Sequence, residues 1–354
     1  MLMSRFFAFP ATAFVFGCAV LACTDSAPTP RTPSRSSAPV PIDAVLTWTD
    51  SVPLEENDAV INVTPMVRSD GSGNFVVADA GESQVRLYRP DGTLVRYFGS
   101  KGSGPEEFQH VSSALRLASG DFLVTDMGGK VARFDSTARL LHTAQAPIGP
   151  LYSSTVINDS LVAFTGRARG QEPSALVHLW NLRTDAVVRS FFLEPPHREE
   201  LSGAYRFSGF TDVQARGDTI AVLFGLSDTV YLYDLNGRET GKLKIPSRTF
   251  RPVREPMPQN ASMEEFVRWT ESFSAASQLF WEADGSFLVQ YFDVEGQEPQ
   301  WRLVRMGRNG DHRFEVLDTP KLLAISRDAN PKLYFVHPNS PAPNVWAVAR
   351  MGGR

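Results

Sequence analysis

A repeated unit of short apolar runs and tight turns constrains the fold of this chain more than any other feature. The clearest copy spans residues 70–108 and contains three apolar runs, the last of which follows the turn Pro90-Asp91-Gly92. An Asp-Gly pair between two alternating segments is a strong hairpin signal. The unit therefore predicts consecutive antiparallel strands joined by tight turns.

The spacing within this copy identifies five more copies along the chain. In the first copy Val85 begins the second run, and a turn lies six positions later. The second runs of the other copies begin at Val131, Val177, Val230, Leu303 and Val345. The runs that precede them are at 75–78, 122–125, 161–164, 220–224, 287–291 and 333–336. A period of roughly 40–60 residues is typical of propellers with four strands per blade. We therefore predict an all-β, six-bladed propeller.

The last copy ends without a fourth strand, and the start of the folded part has a strand-like segment that belongs to no copy. The sequence stops at Gly352-Gly353-Arg354, directly after the third run of the sixth copy. Residues 44–49 form an unassigned strand-like segment. We predict that this segment joins the last blade beside 345–349, because closing the ring leaves only short, protected sheet edges.

The net charge and the positions of the cysteines argue against several classes of protein. The chain has 354 residues, 42% of them apolar, and a formal charge of −4. This balance argues against a nucleic-acid-binding surface and against electrostatic docking on an anionic membrane. The two cysteines, Cys18 and Cys23, both precede the repeats, so no disulfide can stabilise the propeller.

The N-terminus has the features of a lipoprotein signal. Arg5 precedes an apolar run at 6–21, which is shorter than the about 20 residues that span a membrane. The run ends Val20-Leu21-Ala22-Cys23, which resembles the bacterial lipobox and implies lipid attachment to Cys23. Ordinary secretion with a free cysteine is the alternative.

Three regions follow from these observations. Residues 1–22 are predicted to be the signal peptide and residues 42–354 the propeller. Between them, residues 23–41 are rich in Pro, Ser and Thr and are predicted to form a disordered tether, because they offer little apolar surface to bury. The predicted location is the bacterial cell envelope, on the periplasmic side or at the cell surface.

One copy also resembles a known repeat family. Val77-Ala78-Asp79, Pro90-Asp91-Gly92 and the glycine-rich segment 99–105 are similar to an NHL repeat, with Glu106 in place of its last glycine. Asp126 matches Asp79 in the second copy, and later copies lose this aspartate. The resemblance implies a six-bladed propeller of the NHL or TolB-like type. It implies a class of fold and no particular activity.

Loop lengths predict which face of the propeller binds. In a four-stranded blade, the loops between the second and third strands and the connections between blades share one face. The long segments all belong to this set, which we call the long-loop face: residues 99–113, 166–174, 193–210, 246–276, 293–300 and 337–343. Long loops on a rigid scaffold often carry binding residues. The candidate ligand-binding residues are Arg167, Arg169, His197, Arg206, Arg251, Trp269 and His337.

The largest of these segments predicts a short helix near 262–274. Ser262 and Glu265 form a capping-box pattern, and an apolar stripe that includes Trp269 follows. The helix could lie over the face as a lid, or Trp269 could simply pack on the blades. The arginines likewise have a second interpretation, a solvated rim of mixed charge, because glutamates are interspersed among them.

No local catalytic or metal-binding motif accompanies the repeats. None of the six histidines is paired at a metal-ligand spacing, and there is no nucleophile elbow. We therefore predict no cofactor, no metal and a monomeric binding module for a protein or small molecule, with membrane attachment only through the lipid. The alternative is a metal-dependent lyase or lactonase-type hydrolase, by analogy of fold. Three or more His, Asp, Glu or Asn side chains converging on the axis would favour that enzyme.

Overall fold

The apolar runs pair into six four-stranded antiparallel sheets, each of which is one blade of a propeller. The computed structural model describes residues 38–56, 61, 65–70, 72–170, 174–193, 211–255, 260–295, 298–328, 330–340 and 343–352. The predicted signal peptide and most of the predicted tether lie outside these residues. The six-bladed, all-β prediction is confirmed.

The elements follow one another in a regular order. They are a 3-10 turn (Ile42–Ala44), β1 (Leu46–Pro53), β2 (Met66–Ser69), β3 (Phe75–Asp79), β4 (Gln84–Tyr88), β5 (Leu94–Phe98), β6 (Ser100–Lys101), β7 (Glu107–Phe108), β8 (Val111–Arg116), β9 (Phe122–Asp126), β10 (Lys130–Phe134), β11 (Leu140–Gln145), β12 (Ile148–Asn158), β13 (Leu161–Ala168), β14 (Ala175–Asn181), β15 (Ala186–Leu193), β16 (Asp212–Arg216), β17 (Thr219–Leu223), β18 (Thr229–Tyr233), β19 (Glu239–Lys244), α1 (Met263–Thr270), β20 (Ser274–Trp281), β21 (Phe287–Glu295), β22 (Glu298–Met306), β23 (His312–Thr319), β24 (Leu322–Ile325), β25 (Lys332–Val336) and β26 (Val345–Met351).

The blades are formed in chain order. Blades 1 to 5 are β2–β5, β8–β11, β12–β15, β16–β19 and β20–β23, and blade 6 is β24, β25, β26 and β1. The first strand of each blade is the innermost, since β2, β8, β12, β16 and β20 contact one another in succession and β24 contacts β2. The ring therefore closes around an axis lined by six inner strands.

The core lies between the faces of neighbouring blades. Phe98 of blade 1 packs on Phe122 and Phe134 of blade 2, with ring centres 5.1 and 4.7 Å apart. Phe75 of blade 1 packs in the same way on Tyr334 of blade 6. Second strands such as β3 and β9 are buried along their whole length because they have a neighbouring blade on both sides.

The predicted closure of the ring is confirmed, with a shift in the strand's position. In β1, Trp48 pairs with Ala349 and Pro53 with Val345. The strand begins at Leu46 and not at residue 44, because the backbone N–H of Ala44 donates to Pro41 within the 3-10 turn. Gly92 has φ +88°, and a side chain there would collide with the carbonyl of Pro53. The Asp-Gly turn of blade 1 thus fits closely against the closing strand.

Val40, which lies just before the predicted boundary at 42, contacts the fifth blade. Val40 forms a parallel bridge with Val316 of β23, and its N–H donates to the carbonyl of Glu315 over 2.8 Å.

Helix α1 forms where the capping pattern indicates. The Ser262 hydroxyl accepts from the N–H of Glu265, and the Glu265 carboxylate accepts from the N–H of Ser262. The helix ends at Thr270, before the predicted end at 274, because Ser274 already pairs with the carbonyl of Arg251 at the start of β20. In the part of the chain that the structure describes, no helix is long and apolar enough to cross a membrane.

Candidate ligand-binding site

An ion pair crosses the axis of the propeller. Arg68 lies on β2 of blade 1 and Asp212 on β16 of blade 4, and these blades are opposite each other in a ring of six. Arg68 Nη2 is 3.0 Å from Asp212 Oδ1, and the two side chains are 11% and 5% exposed. A pair between opposite blades places the two charges at the centre of the ring.

Hydroxyl and backbone groups from other inner strands complete this axial cluster. The Ser153 hydroxyl accepts from Arg68 Nη2 over 2.8 Å and donates to Asp212 Oδ1 over 2.5 Å. The N–H of Leu279 donates to Asp212 Oδ2, and Ser113 and Ser154 share a hydrogen bond of 2.6 Å. The cluster therefore joins β2, β8, β12, β16 and β20. It satisfies the buried charges with hydrogen bonds, as buried ion pairs require.

A cavity of about 820 Å³ lies along the axis beside this cluster. Its walls are the last residues of the six inner strands and the turns that follow them. We call it the axial cavity. Those turns belong to the face opposite the long-loop face, which we call the tight-turn face. The charged residues that line the cavity are Arg68, Asp70, Arg116, Arg216, Glu282 and Arg327. Its volume falls within the about 300–1,000 Å³ of small-molecule sites.

The Asp70 carboxylate in the cavity wall is neutralised by local partners. Asp70 Oδ1 accepts from the N–H groups of Ser72 and Asn74, and Oδ2 accepts from Arg116 Nη1 over 2.9 Å. Burial alone would raise the pKa of Asp70, but the hydrogen bonds from Ser72, Asn74 and Arg116 outweigh it and lower the pKa. Asp70 therefore shapes the turn and holds Arg116 in place.

The second carboxylate of the wall, Glu282, is also paired. Its Oε2 accepts from Arg305 Nε over 2.7 Å, and its side chain is almost completely buried. Burial raises the pKa of Glu282 even though Arg305 acts in the opposite direction. Burial favours the uncharged carboxyl group, and Arg305 balances the charge of the carboxylate. In either form Glu282 presents little negative charge to the cavity.

Two arginines of the wall have no such partner. Arg216 donates to backbone carbonyls, from Nη1 to Glu282 over 3.0 Å and from Nη2 to Ala283 over 2.7 Å. Arg327 lies exposed in the turn after β24. Within the described ranges, neither guanidinium forms an ion pair. They give the mouth of the cavity positive charge.

The centre of the ring does not resemble a metal centre. Among the described residues there is no group of three or more His, Cys, Asp or Glu side chains that could hold an ion. At the axis, the carboxylate of Asp212 is already occupied by Arg68, Ser153 and the N–H of Leu279. The other side chains of the cluster are serines.

Three arginines of the predicted long-loop face lie in two different parts of the ring. Arg167 is half-buried at the end of β13. Arg169 donates from Nη2 to the carbonyl of Gly128 over 2.7 Å, which ties blade 3 to blade 2. Arg251 lies between blades 4 and 5 and is 3.3 Å from Asp293 Oδ1.

The other predicted residues of this face differ in exposure. Trp269 is buried against Val253 and Phe273, and its indole N–H donates to the carbonyl of Glu255 over 3.0 Å. His337 begins the loop after β25, and its Nδ1 accepts from a backbone N–H. His197 and Arg206 lie outside the described residues. Ligand binding on the long-loop face stays a prediction.

The residues of the axial cavity were not predicted from the sequence, because they lie on the inner strands, whose apolar patterns are weak. One signal could have located them. An arginine lies near the end of the first strand, or in the turn that follows it, in four of the six copies: Arg68, Arg116, Arg216 and Arg327. Cations that recur near the same end of the inner strands predict a concentration of positive charge around that end of the axis.

Comparisons with known proteins support the architecture. No protein-family model matches the chain, and no curated protein sequence matches it significantly. It is similar to a solved structure of a DUF4221 family member from Bacteroides vulgatus, with 10% identity, a TM-score of 0.63, and coverage of 87% of this chain and 97% of that one. A Bacteroides fragilis protein named "Putative exported protein" gives 12% identity, a TM-score of 0.61, and coverage of 90% and 98%.

A third similar structure is a streptogramin B lyase. It is 9% identical to this chain, with a TM-score of 0.50 and coverage of 87% of this chain and 99% of the lyase. At these identities the three structures show a shared propeller fold.

Proposed function

We propose that this chain is a lipid-anchored propeller of the bacterial envelope that binds a small ligand in the axial cavity. The observation that carries the proposal is the cavity itself, about 820 Å³ in volume and lined by residues of all six blades. Because each blade contributes one inner strand, the shape of the cavity is fixed by the closed ring. Such a preformed concave site loses little entropy on binding.

The nature of the axis favours binding over the metal-dependent lyase or hydrolase. That alternative needs several metal ligands at the centre of the ring, where this chain has the guanidinium of Arg68. A guanidinium has no lone pair to offer a metal ion, and Arg68 also occupies the carboxylate of Asp212. The similarity to a streptogramin B lyase supports the fold that the two proteins share and assigns no reaction to this chain.

The proposed location rests on the N-terminal sequence and on one similar structure. The apolar run at 6–21 and the lipobox-like ending support export and lipid attachment at Cys23. The Bacteroides fragilis protein named "Putative exported protein" shares the propeller fold, which agrees with an extracytoplasmic location. We also assign the repeats to the NHL type, on the motif of blade 1.

Replacement of Cys23 tests the anchor. In a bacterial host that receives labelled palmitate, the wild-type protein should incorporate label and sediment with membranes. Cys23→Ala should incorporate none, because the thiol that receives the lipid is absent. Cys18→Ala is the matched control and should remain labelled, since Cys18 lies in the part that is cleaved off. Label that persists in Cys23→Ala, or a wild-type protein without label, would contradict lipidation.

Filling the cavity tests the binding function. Ala118 lines the axial cavity and is exposed, so Ala118→Trp should obstruct the site without disturbing the core. We expect small molecules detected by saturation-transfer NMR with the wild-type protein to lose at least about tenfold in affinity in this variant. Ala186→Trp, at an exposed position of β15, is the control and should bind normally. If every ligand found binds Ala118→Trp as well as wild type, the axial cavity is not the site.

A further inference from the structure

We propose that the axial cavity recognises organic polyanions, small molecules that carry two or more carboxylate or phosphate groups on a partly apolar body. This inference rests on the proposed function and names the class of ligand. The tight-turn face, where the cavity opens, is opposite the face that loop length alone favours.

The charge of the wall is positive. Four arginines, one aspartate and one glutamate line the cavity, and it has no lysine or histidine. Arg116 neutralises Asp70 within the wall, whereas Arg305, from outside it, neutralises Glu282. Arg68 is paired with Asp212 at the axis. Arg216 and Arg327 are left to balance the charge of a ligand.

The blades place three of these arginines around the mouth. Arg116 belongs to blade 2, Arg216 to blade 4, and Arg327 to the turn between β24 and β25 of blade 6. Alternate blades of a six-membered ring are separated by a third of a full turn. The three guanidinium groups therefore surround the axis from three sides, an arrangement suited to a ligand with several anionic groups.

Each guanidinium can offer donors to such a ligand. An arginine side chain has five N–H donors in a planar fork, which matches the oxygens of a carboxylate or phosphate. Arg216 uses Nη1 and Nη2 donors for two carbonyls that fix its position at the rim. Arg116 is fixed by Asp70 and lies 5.6 Å from the ring centre of Phe122. Positioned donors bind anions more favourably, because less side-chain entropy is lost.

The apolar part of the wall indicates that the ligand is organic. Leu115, Ile157, Phe280, Trp281 and Ile325 line the same cavity. Trp281 is held against Phe287, with ring centres 4.8 Å apart. A simple inorganic anion would fill a small part of about 820 Å³ and leave this apolar surface in contact with water.

Calorimetric titration with benzene-1,3,5-tricarboxylate tests the proposal directly. This probe has three carboxylates around an apolar ring. We expect saturable one-to-one binding to the mature protein at low salt, and an affinity at least about thirtyfold lower in Arg216→Gln/Arg327→Gln. The matched control is Arg189→Gln/Arg238→Gln, which removes the same charge from exposed positions on the outer side of blades 3 and 4. Its affinity should change less than about twofold.

Additional probes and a second variant make the outcome decisive. Arg216 also joins blades 4 and 5, so Arg327→Glu alone, at an exposed side chain, should weaken binding by at least about tenfold in a protein with unchanged circular dichroism. Citrate and pyrophosphate distinguish carboxylate from phosphate ligands, and binding of either that depends on Arg327 supports the proposal.

Neutral benzene-1,3,5-trimethanol distinguishes recognition of polyanions from ligand binding in the cavity without charge recognition. Binding of this probe as tightly as the tricarboxylate would overturn recognition of polyanions but leave the cavity as a ligand site. An equal loss of affinity in both double variants would also overturn the proposal, because it would indicate a general effect of charge. If the tricarboxylate, citrate and pyrophosphate all fail to bind, recognition of polyanions is wrong. The proposed function fails on a different result, namely that every ligand found binds Ala118→Trp as tightly as it binds the wild-type protein.

Discussion

Replacing Asp212 with alanine is expected to destabilise the propeller by about 3–5 kcal/mol, the usual effect of removing one partner of a buried ion pair. The substitution leaves the guanidinium of Arg68, which is 11% exposed, without its carboxylate at the centre of the ring. It also removes the acceptor of Ser153 and of the N–H of Leu279. Urea denaturation followed by circular dichroism measures the change in the free energy of unfolding.

A double variant distinguishes the cost of an unpaired charge from a loss of packing. In Arg68→Leu/Asp212→Leu both charges are absent, so the variant should be considerably more stable than Asp212→Ala. Asp50→Ala, at an exposed position of β1, is the control and should lie within about 0.5 kcal/mol of wild type. An Asp212→Ala protein as stable as this control would show that the axial pair does not hold the ring together.

Replacing Lys321 with methionine is expected to stabilise the protein by up to about 3 kcal/mol at neutral pH. Lys321 joins blades 5 and 6, and its ammonium group lies 5.4 Å from the ring centre of Trp301. Burial lowers the pKa of Lys321 from 10.5 to about 8. That difference corresponds to about 3 kcal/mol of unfavourable burial of the charged form. Methionine keeps the length of the side chain without the charge.

The effect should depend on pH in a defined direction. Below about pH 8 the lysine is protonated in both states, so the folded protein bears the full cost of burying the charge. Between pH 8 and 10.5 the unfolded chain binds more protons than the folded protein, and wild-type stability therefore rises with pH. Urea denaturation at pH 7, 9 and 10.5 should show the advantage of Lys321→Met shrinking. Lys101→Met controls for loss of an exposed amine, and a pH-independent advantage would contradict the assignment.

Features that depend on local sequence could be predicted. The spacing between the apolar runs and the tight turns recurs in six copies along the chain, and this count predicted the six blades. The helix begins at Met263 because the side chains of Ser262 and Glu265 cap its N-terminus within four residues. Its end was predicted less well, since a tertiary contact of Ser274 with the carbonyl of Arg251 determines it.

The candidate site could not be predicted in the same way. Arg68 and Asp212 are 144 positions apart, so no local sequence pattern links them. The prediction of ligand binding on the long-loop face relied on loop length, which indicates where a surface can vary. The volume of the axial cavity depends instead on how far six inner strands stand from one another around the closed ring.

The repeats, the number of blades and the closing strand could be predicted from the sequence alone. The repeats depend on residues close together in the chain, and the closing strand supplies the pairing that the last copy lacks. The composition of the axis depends on the folded ring. Closure brings one strand from every blade to the centre, and there it pairs Arg68 with Asp212, neutralises Asp70 and Glu282, and leaves Arg216 and Arg327 at the mouth of the cavity.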